Sequence, residues 1–592
     1  MFLGGQPGLT RLVAFSIVGV MPDADEAFAA LAGSVVDGML ERRPELATEL
    51  GSHAHDGRLT IGSAAYHAEA ARWCGERLAE VRAVEREGLA PEFRADAEIL
   101  AHELERWRFG ELELREHEWN PMLANPGRAI YLLLARDFAP RPERLTGLAG
   151  RLASVPEALA AARSALAGPL PRVHLETALG QFAGTQRLIG AELDRVLAGA
   201  GDGVVPGNLE ARRLAALDAI AEHCRWLEQR LAEGPADAGP AGDGFRDPRI
   251  GAGLFARKLR LTLQSGVSPE ELLSRALADL DVTFGQIAET AGRLGARPGA
   301  GGTGAPGGGA GAVREVLDSL AADAPDDRTI LELVGRAYEA QLAFVREQAI
   351  VTAHDDPVDV IEMPEIDRGV AVAYCDSPGP LETADLPTFV AVSPAPRDWT
   401  AGRVRSFYRE YNRHMVQNLM VHEAMPGHVL QLGHSRRFAG ATLVRAAFRS
   451  GSFVEGWAVY AEELMVSHGY PGEGNPDALR MQQLKMRLRM IINTVLDVRV
   501  HCEGMPEGEA MRLMTGRGFQ EEGEAAGKWR RALLTSTQLS TYYVGYRDVS
   551  ELVTRLRAAW PQCSQRQVHD AVLAHGSPAV RHLETLLSAE RP

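Results

Sequence analysis

The sequence predicts a mainly α protein, and three observations carry that prediction. Apolar residues recur at three- and four-residue spacing over long stretches, strand-like text is scarce, and glycine-rich loops punctuate the chain. Ala27 to Leu40, Ala64 to Val84, Pro91 to Trp107, Pro142 to Leu166 and Ala211 to Leu231 each carry an apolar stripe of helical period. The best strand text is Gly369 to Tyr374 with Thr388 to Val392, a candidate small β ribbon. An amphipathic segment from Val404 to Met425 and a long helix from Asp477 to Cys502 follow.

At 592 residues the chain exceeds the size at which one hydrophobic core stops growing. Two lobes, or one large domain with a deep cleft, are expected. Low-complexity loops lie at Ala198 to Gly207, Gly234 to Gly244 and Gly295 to Ala312. The last lacks the Gly-Lys-Ser/Thr ending of a phosphate loop and reads as a linker. This predicts an N-terminal helical lobe over 24–294, a linker at 295–312 and a motif-bearing helical lobe over 313–592. Residues 1–23 read as an extension or as a start codon placed too early, with Met21 the alternative initiator.

A net charge of −16 argues against nucleic acid or an anionic membrane as partner. Only three of the 63 basic residues are lysine: Lys258, Lys485 and Lys528. The five cysteines are scattered and form no CxxC pair, so neither a disulfide framework nor a thiolate metal site is indicated. The apolar run Leu12 to Met21 is too short to span a bilayer, and no Ala-x-Ala site follows it. A cytoplasmic location is expected, with a degenerate signal peptide as the alternative.

The chemistry concentrates in His422-Glu-Ala-Met-Pro-Gly-His428. Zinc enzymes commonly place two histidines four apart on one helix face, so that both imidazoles reach one ion. Here the spacing is six, which on an unbroken helix points the rings roughly 120° apart. Pro426 and Gly427 resolve the difficulty. Pro426 has no N–H to give the His422 carbonyl, and Gly427 permits an irregular backbone, so the helix should break and His428 turn back toward His422. Glu423 beside the first histidine is placed to take a proton from water.

A hydrolytic zinc usually has three protein ligands. Glu455-Gly-Trp-Ala-Val-Tyr-Ala-Glu462 reads as a helix, and its two terminal glutamates, seven apart, share one face. One can ligate while the other holds a ligand histidine; the spacing leaves the choice open. Asp497 and His501 are four apart on the long helix, so Asp497 either orients His501 or only stabilises the helix end. Tyr542 is a candidate donor to the oxyanion of an attacked carbonyl.

These motifs resemble the family catalogued as domain of unknown function 885, a largely bacterial group of zinc-hydrolase-like proteins. The resemblance rests on His422 to His428 with Val-Leu-Gln431, and on Glu455-Gly-Trp-Ala-Val-Tyr460. Pro44-Glu-Leu-Ala-Thr48, Asp56-Gly-Arg-Leu59, Asp497-Val-Arg-Val-His501 and Gln538-Leu-Ser-Thr-Tyr542-Tyr-Val-Gly545 add weaker support. It covers nearly the whole chain from about residue 24. Val429 stands where the family usually has a histidine or aromatic, and Tyr543 stands where a basic residue is commoner. The latter leaves the choice between Tyr542 and Tyr543 open.

The resemblance implies a helical fold around a deep cleft, like zinc oligopeptidases and carboxypeptidases. Glu455-Gly-Trp-Ala is also similar to the Glu-Gly-Phe-Ala segment of zinc aminopeptidases, which implies Glu455 as third ligand and Glu462 behind a histidine. It further implies a substrate-facing His501. The expected function is a zinc-dependent hydrolase of short peptides or related amides, with Zn²⁺ on His422, His428 and Glu455 and Glu423 as general base. The alternatives are a zinc-dependent lyase or tailoring hydrolase on a small metabolite, or a non-catalytic binding protein on the same fold.

Overall fold

The computed structural model describes residues 23–198, 206–233, 244–295, 309–363, 372–396 and 399–589, and within these helices form where the periodicity places them. Ala24–Arg42, Ala64–Ala83, Pro91–Phe109, Arg141–Ala165, Leu209–Glu233 and Pro476–Glu503 are all helical. The chain is mainly α, with one small sheet. The expected ribbon is a three-stranded sheet instead. β1 (Val358–Glu362) pairs parallel with β3 (Thr388–Val392), and β2 (Ala373–Asp376) pairs antiparallel with the other side of β3. Val358–Glu362 is too short to announce itself by alternation, and its partner lies beyond a long connection. No helix among the described residues is long and apolar enough to cross a membrane.

Residues 1–22, and most of the three glycine-rich loops, lie outside the described residues. The lobe boundary expected at 295–312 does not separate two cores. Phe255 and Ile287 before it pack in one cluster with Val313, Leu488, Val495 and Tyr543 after it. The reason is the long contact between helix Pro269–Arg293 and helix Pro476–Glu503, which carries apolar faces across the supposed division. The first helices likewise pack on Val444 and Phe448 of the motif-bearing half.

The amphipathic segment 404–425 is two helices rather than one. Ala401–Glu410 ends before Asn412, whose Oδ1 accepts the Met415 N–H at 3.2 Å and starts Arg413–Glu423 afresh. Met415 through His422 are all buried, so this second helix runs through the core.

Helix Gly451–Ser467 crosses helix Thr541–Ala559 at close range. A Cβ on Gly545 would sit 1.8 Å from the Ser452 carbonyl oxygen, and one on Gly456 would sit 2.2 Å from the Gly545 carbonyl carbon. Only glycine at both positions permits the approach. It brings Glu455, one residue before Gly456, toward Tyr542, three before Gly545. Gly545→Ala is therefore expected to cost about 1–3 kcal/mol through overpacking, read as a lower urea midpoint.

Candidate metal centre

The first motif helix ends at Glu423 and a second, His428–Arg437, begins five residues on. Between them the Met425–Pro426 bond is cis, and Gly427 lies against the end of the first helix. A Cβ at Gly427 would meet the His422 carbonyl oxygen at 1.9 Å and that of Val421 at 2.4 Å. The Trp457 indole donates to the Pro426 carbonyl at 2.8 Å, fixing the turn from the facing helix. The break expected from Pro426 and Gly427 is therefore present. The two imidazoles converge, their centroids 4.8 Å apart and their planes at 87°.

Glu455 projects from helix Gly451–Ser467 between them. Its Oε2 lies 3.5 Å from His422 Nε2 and 3.6 Å from His428 Nε2. That oxygen is buried and has no hydrogen-bond partner among the described residues. Two turns along the same face, Glu462 takes the His422 Nδ1–H at 2.9 Å, and its other oxygen accepts from Asn418 Nδ2 at 2.7 Å. The two glutamates take different places. Glu455 meets both free ring nitrogens, and Glu462 fixes the tautomer and orientation of His422 from behind.

A divalent cation fits this donor set. Two imidazole nitrogens and a carboxylate oxygen lie within 4.8 Å of one another, and the orphaned Oε2 is buried where only a cation or proton would compensate it. The electrostatics agree. Burial works against a charged His422, but Glu455 and Glu462 outweigh it and hold the ring well above the ordinary histidine range. Burial would raise Glu455 too, yet the His422 and His428 rings hold it far below the usual carboxylate range. Glu462→Gln should loosen the grip on His422 and weaken the affinity for an added divalent cation about 10–100-fold, measured by competition with a chelator of known affinity.

Glu423 points to the sheet side of the centre, where its Oε2 accepts the Cys375 N–H of edge strand β2 at 3.1 Å. Burial pushes its carboxyl above the ordinary range, Glu455 adds to the rise, and the two histidines pull the other way. Tyr542 lies within electrostatic reach of Glu455. Burial first, then the nearby Glu455 charge, raises its phenol above the usual value. Its oxygen accepts from Arg531 Nη2 at 3.3 Å and from Gln538 Nε2 at 3.5 Å. Tyr543 faces the other way, donating to Asp279 at 2.6 Å.

Two expected site residues lie elsewhere. The Nε2–H of His501 is spent on the carbonyls of Ala532, at 3.0 Å, and Thr535, at 2.8 Å, while Nδ1 accepts the Ile250 N–H at 3.4 Å. Its ring stacks on Phe255, and burial pushes its pKa down to about 4. Both ring nitrogens are thus engaged by backbone groups, and the ring ties two helices together. Nor does Asp497 orient it. Asp497 accepts the Thr537 N–H at 2.8 Å, the Ser540 N–H at 3.0 Å and the Ser540 hydroxyl at 2.7 Å. It builds the turn that delivers Tyr542. An i,i+4 pair shares a helix face, but a shared face does not oblige two side chains to meet.

Asn418, Arg531 and Gln538 carry contacts that the sequence does not assign. Asn418 stands four residues before His422, a spacing that signals a shared face; Gln538 opens the motif that runs to Gly545, whose spacing does not specify this contact, and Arg531 carries no sequence signal for this place.

Among solved structures, the chain resembles "a putative lipoprotein of unknown function from Shewanella oneidensis", with TM-score 0.78 and 28% identity over 95% of this chain and 99% of that one. A "putative lipoprotein from Colwellia psychrerythraea" shares the fold, with TM-score 0.76 and 16% identity over 96% and 100% of the respective chains. No curated protein matches. The family model described as "Bacterial protein of unknown function (DUF885)" matches residues 44–587, and the chain belongs to that family.

Proposed function

We propose that this protein is a zinc-dependent hydrolase of the metallopeptidase type, acting on short peptides or related amides. One observation carries the reading: His422 and His428, six apart in sequence, aim their Nε2 atoms at the unpartnered Oε2 of Glu455, with Glu423 adjacent. Two nitrogens and one carboxylate suit zinc and leave a coordination position for the reaction. When bound, zinc supplies Lewis acidity, lowering the pKa of water and polarising a carbonyl.

The chain's own residues do the rest. Glu423, fixed by the Cys375 N–H through one oxygen, accepts a proton from the attacking water with the other and returns it to the leaving amine. Its burial favours proton uptake. The Tyr542 hydroxyl donates to the carbonyl oxygen as negative charge builds there, with Arg531 and Gln538 holding the phenol. Glu462 keeps His422 in place throughout. An extended peptide suits the surroundings, because β2 is an edge strand beside Glu423 and such an edge can pair with a substrate backbone.

Metal analysis of the purified protein, with an unbiased peptide-cleavage profile, tests the proposal. About one zinc per chain together with peptide cleavage supports it. Zinc-replete protein that cleaves no peptide but turns over a small metabolite would move it to another reaction on the same centre. The location read from the sequence is cytoplasmic. Export is the second reading, favoured by the naming of the solved relatives as lipoproteins. Cell fractionation decides between them.

A further inference from the structure

Each of the chain's three lysines is at least partly buried, and two have partners. Lys258 Nζ meets Glu116 at 3.0 Å and Ser536 at 2.9 Å, and Lys485 Nζ meets Glu410 at 2.9 Å. Lys528 is 6% exposed and makes no hydrogen bond or ion pair among the described residues. An ammonium taken out of water without a partner is costly, and folded proteins rarely keep one.

Lys528 stands on helix Glu522–Leu534, three residues before Arg531, so the two share a face. Arg531 bonds Gln538 Oε1 at 2.8 Å and the Tyr542 hydroxyl, and it too has no carboxylate partner among the described residues. The acids that act most strongly on Lys528 are Glu524 and Glu410; both already hold other partners, though Glu410 Oε1 is buried and unpartnered among the described residues. Glu524 is paired with Arg489 and accepts the Tyr411 hydroxyl; Glu410 takes Lys485 and the Glu521 N–H. Lys528 and Arg531 are thus two basic side chains on one helix face with no carboxylate partner among the described residues, and Arg531 reaches the Tyr542 hydroxyl.

We propose that Lys528 and Arg531 form a subsite that receives a carboxylate of the substrate, next to the Tyr542 side of the metal centre. The inference rests on the hydrolase reading for the word substrate, but the subsite can be tested by binding alone. Burial, with Arg489 and Arg531 nearby, holds the Lys528 pKa well below the ordinary lysine value, and an incoming carboxylate relieves that field. Arg531 offers a planar fork for the same group while keeping its hold on Tyr542. Seating the anion would thereby also position the phenol. The carboxylate can come from a peptide's free C-terminus or from an acidic side chain; the chemistry at the subsite is the same.

The test uses Glu423→Gln protein supplied with zinc, titrated calorimetrically with Ala-Ala-Ala, with its C-terminal amide, and with Ala-Glu-Ala amide. Ala-Ala-Ala should bind at least about tenfold more tightly than its amide if the C-terminus is the source. If the side chain is the source, Ala-Glu-Ala amide should be the tight one. Lys528→Met should bring the favoured peptide down to the level of Ala-Ala-Ala amide, and Lys528→Arg, which keeps the charge, should restore most of the preference. Lys528→Gln replaces Lys528→Met if the latter does not fold. Equal binding of all three peptides, no binding of any, or a preference that survives loss of the lysine charge overturns the subsite. A protein that prefers carboxylates yet hydrolyses nothing keeps the subsite and loses the hydrolase reading. Cleavage of peptides without that preference does the reverse.

Discussion

Glu423→Gln should lower turnover on a confirmed substrate at least about 100-fold while zinc content and folding stay near those of the unmodified protein. The substitution keeps the shape of the side chain and can keep the contact with the Cys375 N–H, which is a bond to an oxygen acceptor. What it removes is the capacity to take a proton, and positioned acid–base groups contribute typically about 10²–10⁴-fold. Glu455→Gln should behave in the opposite way. The oxygen facing both Nε2 atoms becomes part of a neutral amide, a poorer ligand, and zinc should be lost along with activity. Metal analysis and steady-state rates on the two variants check the assignment. If Glu423→Gln loses zinc and Glu455→Gln retains it, the roles must be exchanged. Full activity in Glu423→Gln refutes the general-base mechanism whatever the metal does.

His422→Ala and His428→Ala should each abolish stoichiometric zinc, a larger loss than the roughly 10–100-fold typical of groups behind a ligand. Stability supplies an independent readout. A ligand that binds only the folded state adds about 4.1 kcal/mol at a thousand times its Kd, so zinc should raise the melting temperature of the unmodified protein and leave that of the variants unmoved. Gly427→Ala tests the geometry without touching a ligand. Its Cβ would fall 1.9 Å from the His422 carbonyl oxygen, so the turn must open and His428 must swing away. It should share the zinc loss of the histidine variants. Stoichiometric zinc persisting in both histidine variants would remove the metal assignment, and normal zinc affinity in Gly427→Ala would remove the argument from the turn.

The candidate site is legible in the sequence to different depths. Its centre is local. Pro426 and Gly427 dictate a helix break from their own covalent chemistry, so the convergence of His422 and His428 follows from seven consecutive residues. Helix periodicity is local in the same sense, which is why the long helices lie where the apolar stripes put them. The break at Asn412 carries a capping residue, but the apolar stripe running through it conceals the cap in the sequence.

Other features depend on which elements meet, and spacing along the chain cannot encode that. Asp497 and His501 share a face, yet one caps the turn at 537–540 and the other ties down the end of helix Glu522–Leu534. Parallel pairing of β1 with β3 joins residues thirty apart. The supposed division at 295–312 disappears because helix Pro269–Arg293 finds its apolar partner beyond it.

By itself, then, the sequence determined a mainly α chain and the turn that brings His422 and His428 together, because helical period and a Pro-Gly break are properties of neighbouring residues. Only the tertiary structure decided that Glu455 faces both histidines while Glu462 stands behind one, that Tyr542 rather than Tyr543 turns toward the centre, and that Arg531 reaches the Tyr542 hydroxyl. Each of those depends on the close crossing at Gly456 and Gly545, or on helix Glu522–Leu534 packing against the long helix. Such contacts form between surfaces far apart in the chain, and their energy resides in the fit.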